Sequence, residues 1–162
     1  MGISKWNADE GHAYREPVAD EVSTDAKIRA ALDRAREEDW QALWDAVDTL
    51  SQETSYATWS GGSDGQLPFP MYTQPVEELR ERIGRLGIVV PFDWMNWDGV
   101  RRYKDDPAAL QSAPVADAVR LVIAILRSER FTDGSIEGAL QSGLMQTALA
   151  RLRRWHEEDR IG

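Results

Sequence analysis

Six side chains in two short stretches are the best placed to do chemistry. The first stretch, Phe92-Asp93-Trp94-Met95-Asn96-Trp97, sets a carboxyl group between indoles. In a pocket walled by Trp94 and Trp97, Asp93 could act as an acid or base, or hold a ligand. The second, Arg127-Ser128-Glu129-Arg130-Phe131, sets two guanidiniums one helical turn apart beside an aromatic ring. Arg127 and Arg130 at that spacing can clamp a phosphate or carboxylate, with Phe131 as one wall. Each pattern also has a structural reading. Asp93 fits the cap of a single helical turn, with Trp94 and Trp97 sharing one buried face. It also fits a buried pair with Arg127 or Arg130. The arginines fit a helix C-terminus, where cations bond the last carbonyls and pair with Asp93, Glu129 or Asp133.

Other chemistry finds little support. There is no cysteine, so disulfides and thiolate metal sites are excluded and a reducing cytoplasm fits. His12 and His156 are the only histidines, and no zinc-binding spacing is present. His156, beside Glu157, Glu158 and Asp159, reads as a surface group at a helix end. Gly61-Gly62-Ser63-Asp64-Gly65 matches the bare G-x-S-x-G pattern. A nucleophile elbow needs a strand before it and a helix directly after, and neither is predicted there. No catalytic set, metal or cofactor is expected.

Charge narrows the partners. The net charge is −9 and it is uneven: residues 1–66 hold 6 Lys and Arg against 14 Asp and Glu, while residues 67–162 hold 13 against 14. Such an acidic first part disfavours nonspecific nucleic-acid binding and suits a basic partner. Arg151, Arg153, Arg154 and Arg160 make only a weak phosphate-binding footprint. The longest apolar stretch, Val119 to Leu126, has eight residues and begins beside Asp117 and Arg120, too short to span a bilayer. Lys5 is followed by no apolar signal region. Seven tryptophans are many for 162 residues, and most are expected in the core.

The elements that must position these groups read as helices. Ser23 or Thr24 can cap a first helix, and Ile28, Ala31, Leu32 and Ala35 repeat at helical spacing. The pattern runs on through Trp40, Leu43, Trp44, Val47 and Leu50, as one long helix or two with a kink near Glu38-Asp39. Residues 51–75 read as a loop pinned by Trp59, Phe69 and Tyr72. Thr73 and Pro75 open a helix carrying Val76, Leu79, Ile83 and Leu86, with Glu78–Arg82 and Glu81–Arg85 pairs outside and Gly87 at its end. Ile88-Val89-Val90 is a short extended piece, and Asp106-Pro107 opens another helix. Residues 114–130 are apolar nearly all round, which predicts a central buried helix. Helices over 133–142 and 144–158 follow, broken at Gly143.

Taken together, the two motifs resemble a known family. Val90-Pro91-Phe92-Asp93-Trp94-Met95-Asn96-Trp97 is followed by an apolar helix ending in Arg127-Ser128-Glu129-Arg130-Phe131-Thr132-Asp133-Gly134, then Gly143 and Leu149 to Leu152; Phe69-Pro70-Met71-Tyr72 fits upstream. Over about residues 40–155 this is similar to domain-of-unknown-function family 6508, found in bacterial and phage-associated proteins. Glu129 departs from that family's usual Asp. The resemblance implies no transferable activity.

The expectation is an all-α fold: a compact bundle of five to seven helices at 23–162, preceded by an N-terminal arm at 1–22. The expected role is a non-catalytic protein-interaction module in the cytoplasm, of phage or mobile-element origin, with another protein as partner. The alternatives are a small-ligand binder or enzyme built on Asp93, Trp94, Trp97, Arg127, Arg130 and Phe131, and an acidic DNA mimic.

Overall fold

The structure, a computed structural model, describes residues 19–63 and 65–159. The elements are α1 (Ala19–Arg34), α2 (Glu37–Leu50), β1 (Ala57–Ser60), β2 (Phe69–Tyr72), α3 (Gln74–Leu86), α4 (Gly99–Asp105), a 3-10 helix (Pro107–Ser112), α5 (Val115–Ser128), α6 (Ser135–Ser142) and α7 (Leu144–Glu157). Eight helices among the described residues exceed the expected five to seven. Residues 19–22, expected in an arm, already belong to α1; residues 1–18, with Trp6, His12 and Tyr14, lie outside the described residues.

The break between the first two helices falls at Ala35-Arg36, where Arg36 is extended (φ −82, ψ 146). Glu37, Glu38 and Asp39 then fill the first turn of α2, where negative charge suits the helix dipole. That acidic run marks a helix start rather than a kink inside a helix. α5 is the central element: ten of its side chains from Val115 to Ile125 are buried, and α7, α6, α4 and α1 all pack on it. Arg120 on α5 is 4% exposed and ties α1 down through Asp25 (2.5 Å) and the Glu21 carbonyl (2.9 Å), with Asp117 at 3.2 Å. A buried guanidinium needs such partners, because an unpaired charge there would be costly.

The all-α expectation holds except for a hairpin. β1 and β2 pair antiparallel, Ala57 with Tyr72 and Trp59 with Pro70. Each strand has four residues and one contains Pro70, too little alternation to register as strands in the sequence. Ile88 to Val90, read as a short extended piece, is neither helix nor paired strand. Gly61 closes the hairpin with φ +83, and an added Cβ would lie 2.6 Å from the Leu67 carbonyl oxygen. Among the described residues the next element after the G-x-S-x-G stretch is β2, not the helix that a nucleophile elbow needs.

His156 is the main departure in the core. It is 6% exposed, stacked on Trp40 with ring centroids 4.6 Å apart. The Trp44 indole N–H donates to its Nδ1 at 3.1 Å, and Nε2 lies 3.0 Å from the Glu37 carboxylate. An indole nitrogen can only donate, so Nδ1 carries the lone pair and Nε2 the proton. The acidic neighbours of His156 in sequence suggested a solvated group. The ring is drawn inward instead, because α7 delivers it between two tryptophans of α2.

Two phenols tie the periphery to α5 and α6. Tyr103 donates to Asp117, and Tyr72 donates to Glu129. Burial first, then the adjacent carboxylate, raises both phenols well above their usual value near 10. The folded state therefore holds protons that the unfolded chain releases near pH 10, and this stabilisation is present below that pH and lost above it. The midpoint of urea unfolding is expected to fall as pH rises past about 10. Tyr103→Phe should make that alkaline fall shallower; an equally steep fall in Tyr103→Phe would contradict the assignment.

Candidate functional site

Both motifs meet at one surface, but only half of the first takes part. Pro91 leads into a turn in which the Trp94 N–H donates to the Phe92 carbonyl at 2.8 Å, centred on Asp93. The Trp97 N–H then reaches the Trp94 carbonyl at 3.3 Å. The two rings nevertheless have different neighbours and do not share a face. Trp97 turns inward, edge-on to Phe92 (6.0 Å, 82°) and next to Tyr103 (6.4 Å). It lies so close to Gly99 that an added Cβ would be 2.1 Å from its ring. Trp94 turns the other way and packs on Phe131, with centroids 5.8 Å apart.

Asp93 is not the cap that its position suggested. It is exposed, and its carboxylate accepts from the Asn96 side-chain amide at 2.8 Å. It pairs with neither Arg127 nor Arg130 among the described residues.

Between the turn and the end of α5 lies a recess of about 260 Å³. Phe92, Trp94 and Met95 form one side, Arg127, Arg130 and Phe131 the other, with buried Ile123 beneath. Asp93 and Trp97 do not line it. Four of the six expected site residues, Trp94, Arg127, Arg130 and Phe131, are thus brought together. Phe92 and Met95 join them unexpectedly; their places in the motif were visible in sequence, but not the direction of their side chains. Met95 is 62% exposed and Phe131 69%. Large apolar groups this open, beside cations, are a common composition for a binding surface.

Neither arginine makes the structural contacts expected of it. Among the described residues, Arg127 and Arg130 have no ion pair and no side-chain hydrogen bond. The carbonyls they were expected to cap are already met by backbone: the Arg130 N–H donates to the Arg127 carbonyl at 3.2 Å, and the Phe131 and Thr132 N–H groups to that of Ser128 at 3.0 and 2.8 Å. Glu129, the carboxylate between them, is committed elsewhere. It accepts from the Gly134 N–H at 2.7 Å, the Ile136 N–H at 2.9 Å and the Tyr72 hydroxyl. It serves as a cap for α6 from outside that helix, satisfying donors that would otherwise be unpaired.

Trp59 completes this tie by lying on Gly134 and donating to Glu137 at 2.8 Å. Phe69, expected to help pin the hairpin, instead faces solvent at 44%. Glu129→Ala should cost about 1–3 kcal/mol, because two part-buried N–H groups lose their acceptor. Amide hydrogen exchange at Gly134 and Ile136 should accelerate in that variant; unchanged exchange there would show that the cap is idle.

Arg151, Arg153 and Arg154 are occupied, and Arg160 lies outside the described residues. Arg151 donates to the Ala113 carbonyl at 3.0 Å, Arg153 to Asp48 at 2.7 Å, and Arg154 to Gln111 at 3.1 Å. The Arg153 hydrogen bond lowers the Asp48 carboxyl below its ordinary range. Among the described residues no group of three or more His, Asp or Glu is placed to hold a metal ion, and no helix is long and apolar enough to cross a membrane.

Of the six described tryptophans, Trp40 and Trp44 are buried, Trp97 and Trp155 are half-buried against the core, Trp94 is half-buried at the recess, and Trp59 is exposed. The model of a family of unknown function, DUF6508, matches residues 35–158, and the chain belongs to that family. No curated protein and no solved structure matches it.

Proposed function

We propose that this family member is a non-catalytic protein-interaction module that grips its partner at the recess lined by Trp94, Met95, Arg127, Arg130 and Phe131. One observation carries the reading: two uncompensated guanidiniums flank an exposed aromatic and methionine surface at the meeting point of both motifs. Trp and Arg dominate the binding energy of protein interfaces, and aromatic groups and Met are enriched there. The size of the recess supports a protein partner over an enclosed metabolite. At about 260 Å³ it lies below the roughly 300–1,000 Å³ that encloses a drug-sized ligand, and suits one or two inserted side chains.

The alternative of an enzyme built on the same motifs has less behind it. The recess is lined by apolar, aromatic and arginine side chains, and Asp93, the acid or base of that reading, is not among them and is bonded to Asn96. Against a DNA mimic stands the interleaving of surface charge. Arg80–Glu77, Arg82–Glu78, Arg85–Glu81 and Arg153–Asp48 alternate where a mimic would present uniform carboxylates.

The test is crosslinking in cells with the full-length protein. A photo-reactive side chain in place of Met95 should give one discrete protein adduct that disappears when Trp94→Ala is added. The same group in place of Asp45, which does not line the recess, should give none. No adduct at 95, or one indifferent to Trp94, overturns the proposal.

A further inference from the structure

We infer that the partner presents an acidic segment, an apolar side chain flanked by carboxylates, to this recess; the inference rests on the docking role proposed above. The argument begins with charge. The chain carries net −9, yet at this surface Arg127 and Arg130 stand without a carboxylate. Glu129 would neutralise them by proximity in sequence, but Tyr72 and the start of α6 hold it on the other side. The negative end of the α5 dipole offsets only about half a charge, and the backbone N–H groups of Arg130, Phe131 and Thr132 already meet its last carbonyls. Most of the two positive charges therefore remains for an anion from outside.

Geometry then selects the kind of anion. The guanidiniums belong to residues one helical turn apart, and the space beside them is apolar, walled by Trp94, Phe92 and Phe131 over Ile123. A bare anion would leave that apolar surface wet. A leucine or phenylalanine side chain fills it, and carboxylates on neighbouring residues of the same segment reach the two arginines, each able to accept a forked pair of N–H donors. Elsewhere, arginines such as Arg80, Arg82, Arg85 and Arg153 already carry carboxylate partners and offer such a segment less than this pair does. This reverses the basic partner that net charge suggests.

The probe is a six-residue peptide, leucine-phenylalanine at its centre with two aspartates on each side, acetylated and amidated at its ends. Its counterpart carries lysines for the aspartates. Titrated into the isotope-labelled full-length protein, the acidic peptide should shift the Trp94 indole signal and the Arg127 and Arg130 side-chain signals. The lysine peptide should not. Arg127→Glu with Arg130→Glu should weaken binding at least tenfold without changing the melting temperature by more than a few degrees. Equal binding of both peptides, or shifts that avoid Trp94, would overturn the inference. So would binding seen only with a free C-terminal carboxylate, or an acidic peptide that fails to bind while Met95 crosslinks to a basic segment. In that last case the docking role stands and its charge preference falls; if the crosslink also fails, both fall. Self-association of the chain through the recess, seen as a dimer lost in the Glu variant, would likewise replace the foreign partner by a second copy.

Discussion

Trp40→Ala is expected to lower the free energy of unfolding by about 3–5 kcal/mol, a large part of the roughly 5–15 kcal/mol that holds such a domain together. Trp40 is 0% exposed and touches three rings: Trp44 at 5.7 Å, His156 at 4.6 Å and Trp155 at 6.0 Å between centroids. Truncation leaves a cavity where α2 meets α7 and removes the surface on which His156 stacks. Trp40→Phe separates packing from polarity. The Trp40 indole N–H has no hydrogen-bond partner among the described residues, so phenylalanine deletes a buried unpaired donor while keeping a ring. Its loss should be well under half that of the alanine variant. Urea midpoints of the two variants decide the matter; equal losses would mean that the ring cluster contributes little beyond shape. His156→Phe should fall between them, because it strips the Trp44 N–H of its acceptor.

Trp94→Ala should do the opposite: leave stability within about 1 kcal/mol of the wild type and abolish most of the binding. A buried aromatic anchor at the centre of an interface is commonly worth 2 kcal/mol or more, about a thirtyfold loss in affinity. Trp94 is half-buried and its ring contact is to Phe131, itself mostly exposed, so truncation opens no core cavity. Trp97→Ala, three residues on, provides the contrast. It removes the ring that covers Gly99 and packs on Phe92 and Tyr103. It should cost about 3 kcal/mol in stability and affect binding only through that loss. Melting curves together with the crosslinking yield at position 95 read out both variants. If the two tryptophans behave alike, the division of the motif into an inward and an outward half is wrong.

Much of the fold was legible from local pattern. The stripe Val76, Leu79, Ile83 and Leu86 is the buried face of α3, Gly87 ends that helix with φ +81, and Glu78–Arg82 and Glu81–Arg85 pair at 2.7 and 2.8 Å. The apolar run from Val115 is the central helix, and Gly143 separates α6 from α7. These features depend on spacing along one segment, which a single helix expresses by itself. The hairpin was missed because four-residue strands interrupted by Pro70 carry too little periodicity.

The candidate site was legible as residue types and not as an arrangement. Asp93, Trp94 and Trp97 lie within five consecutive residues, yet a tight turn sends them three ways. Arg127, Glu129 and Arg130 look like a self-neutralising set, yet Tyr72, 57 residues upstream of Glu129, takes part in withdrawing the carboxylate. His156 looks solvated until Trp44, 112 residues away, supplies a donor. The sequence by itself determined most of the helices and which face of each is apolar, because those properties follow from repeats of a few residues; α4 is too short to register that way, and the break between α1 and α2 stayed open. The tertiary structure alone decided which charged and aromatic groups satisfy one another and which are left over. A donor, acceptor or ring face engages whichever partner the packed helices bring nearest, and distance along the chain says almost nothing about that competition.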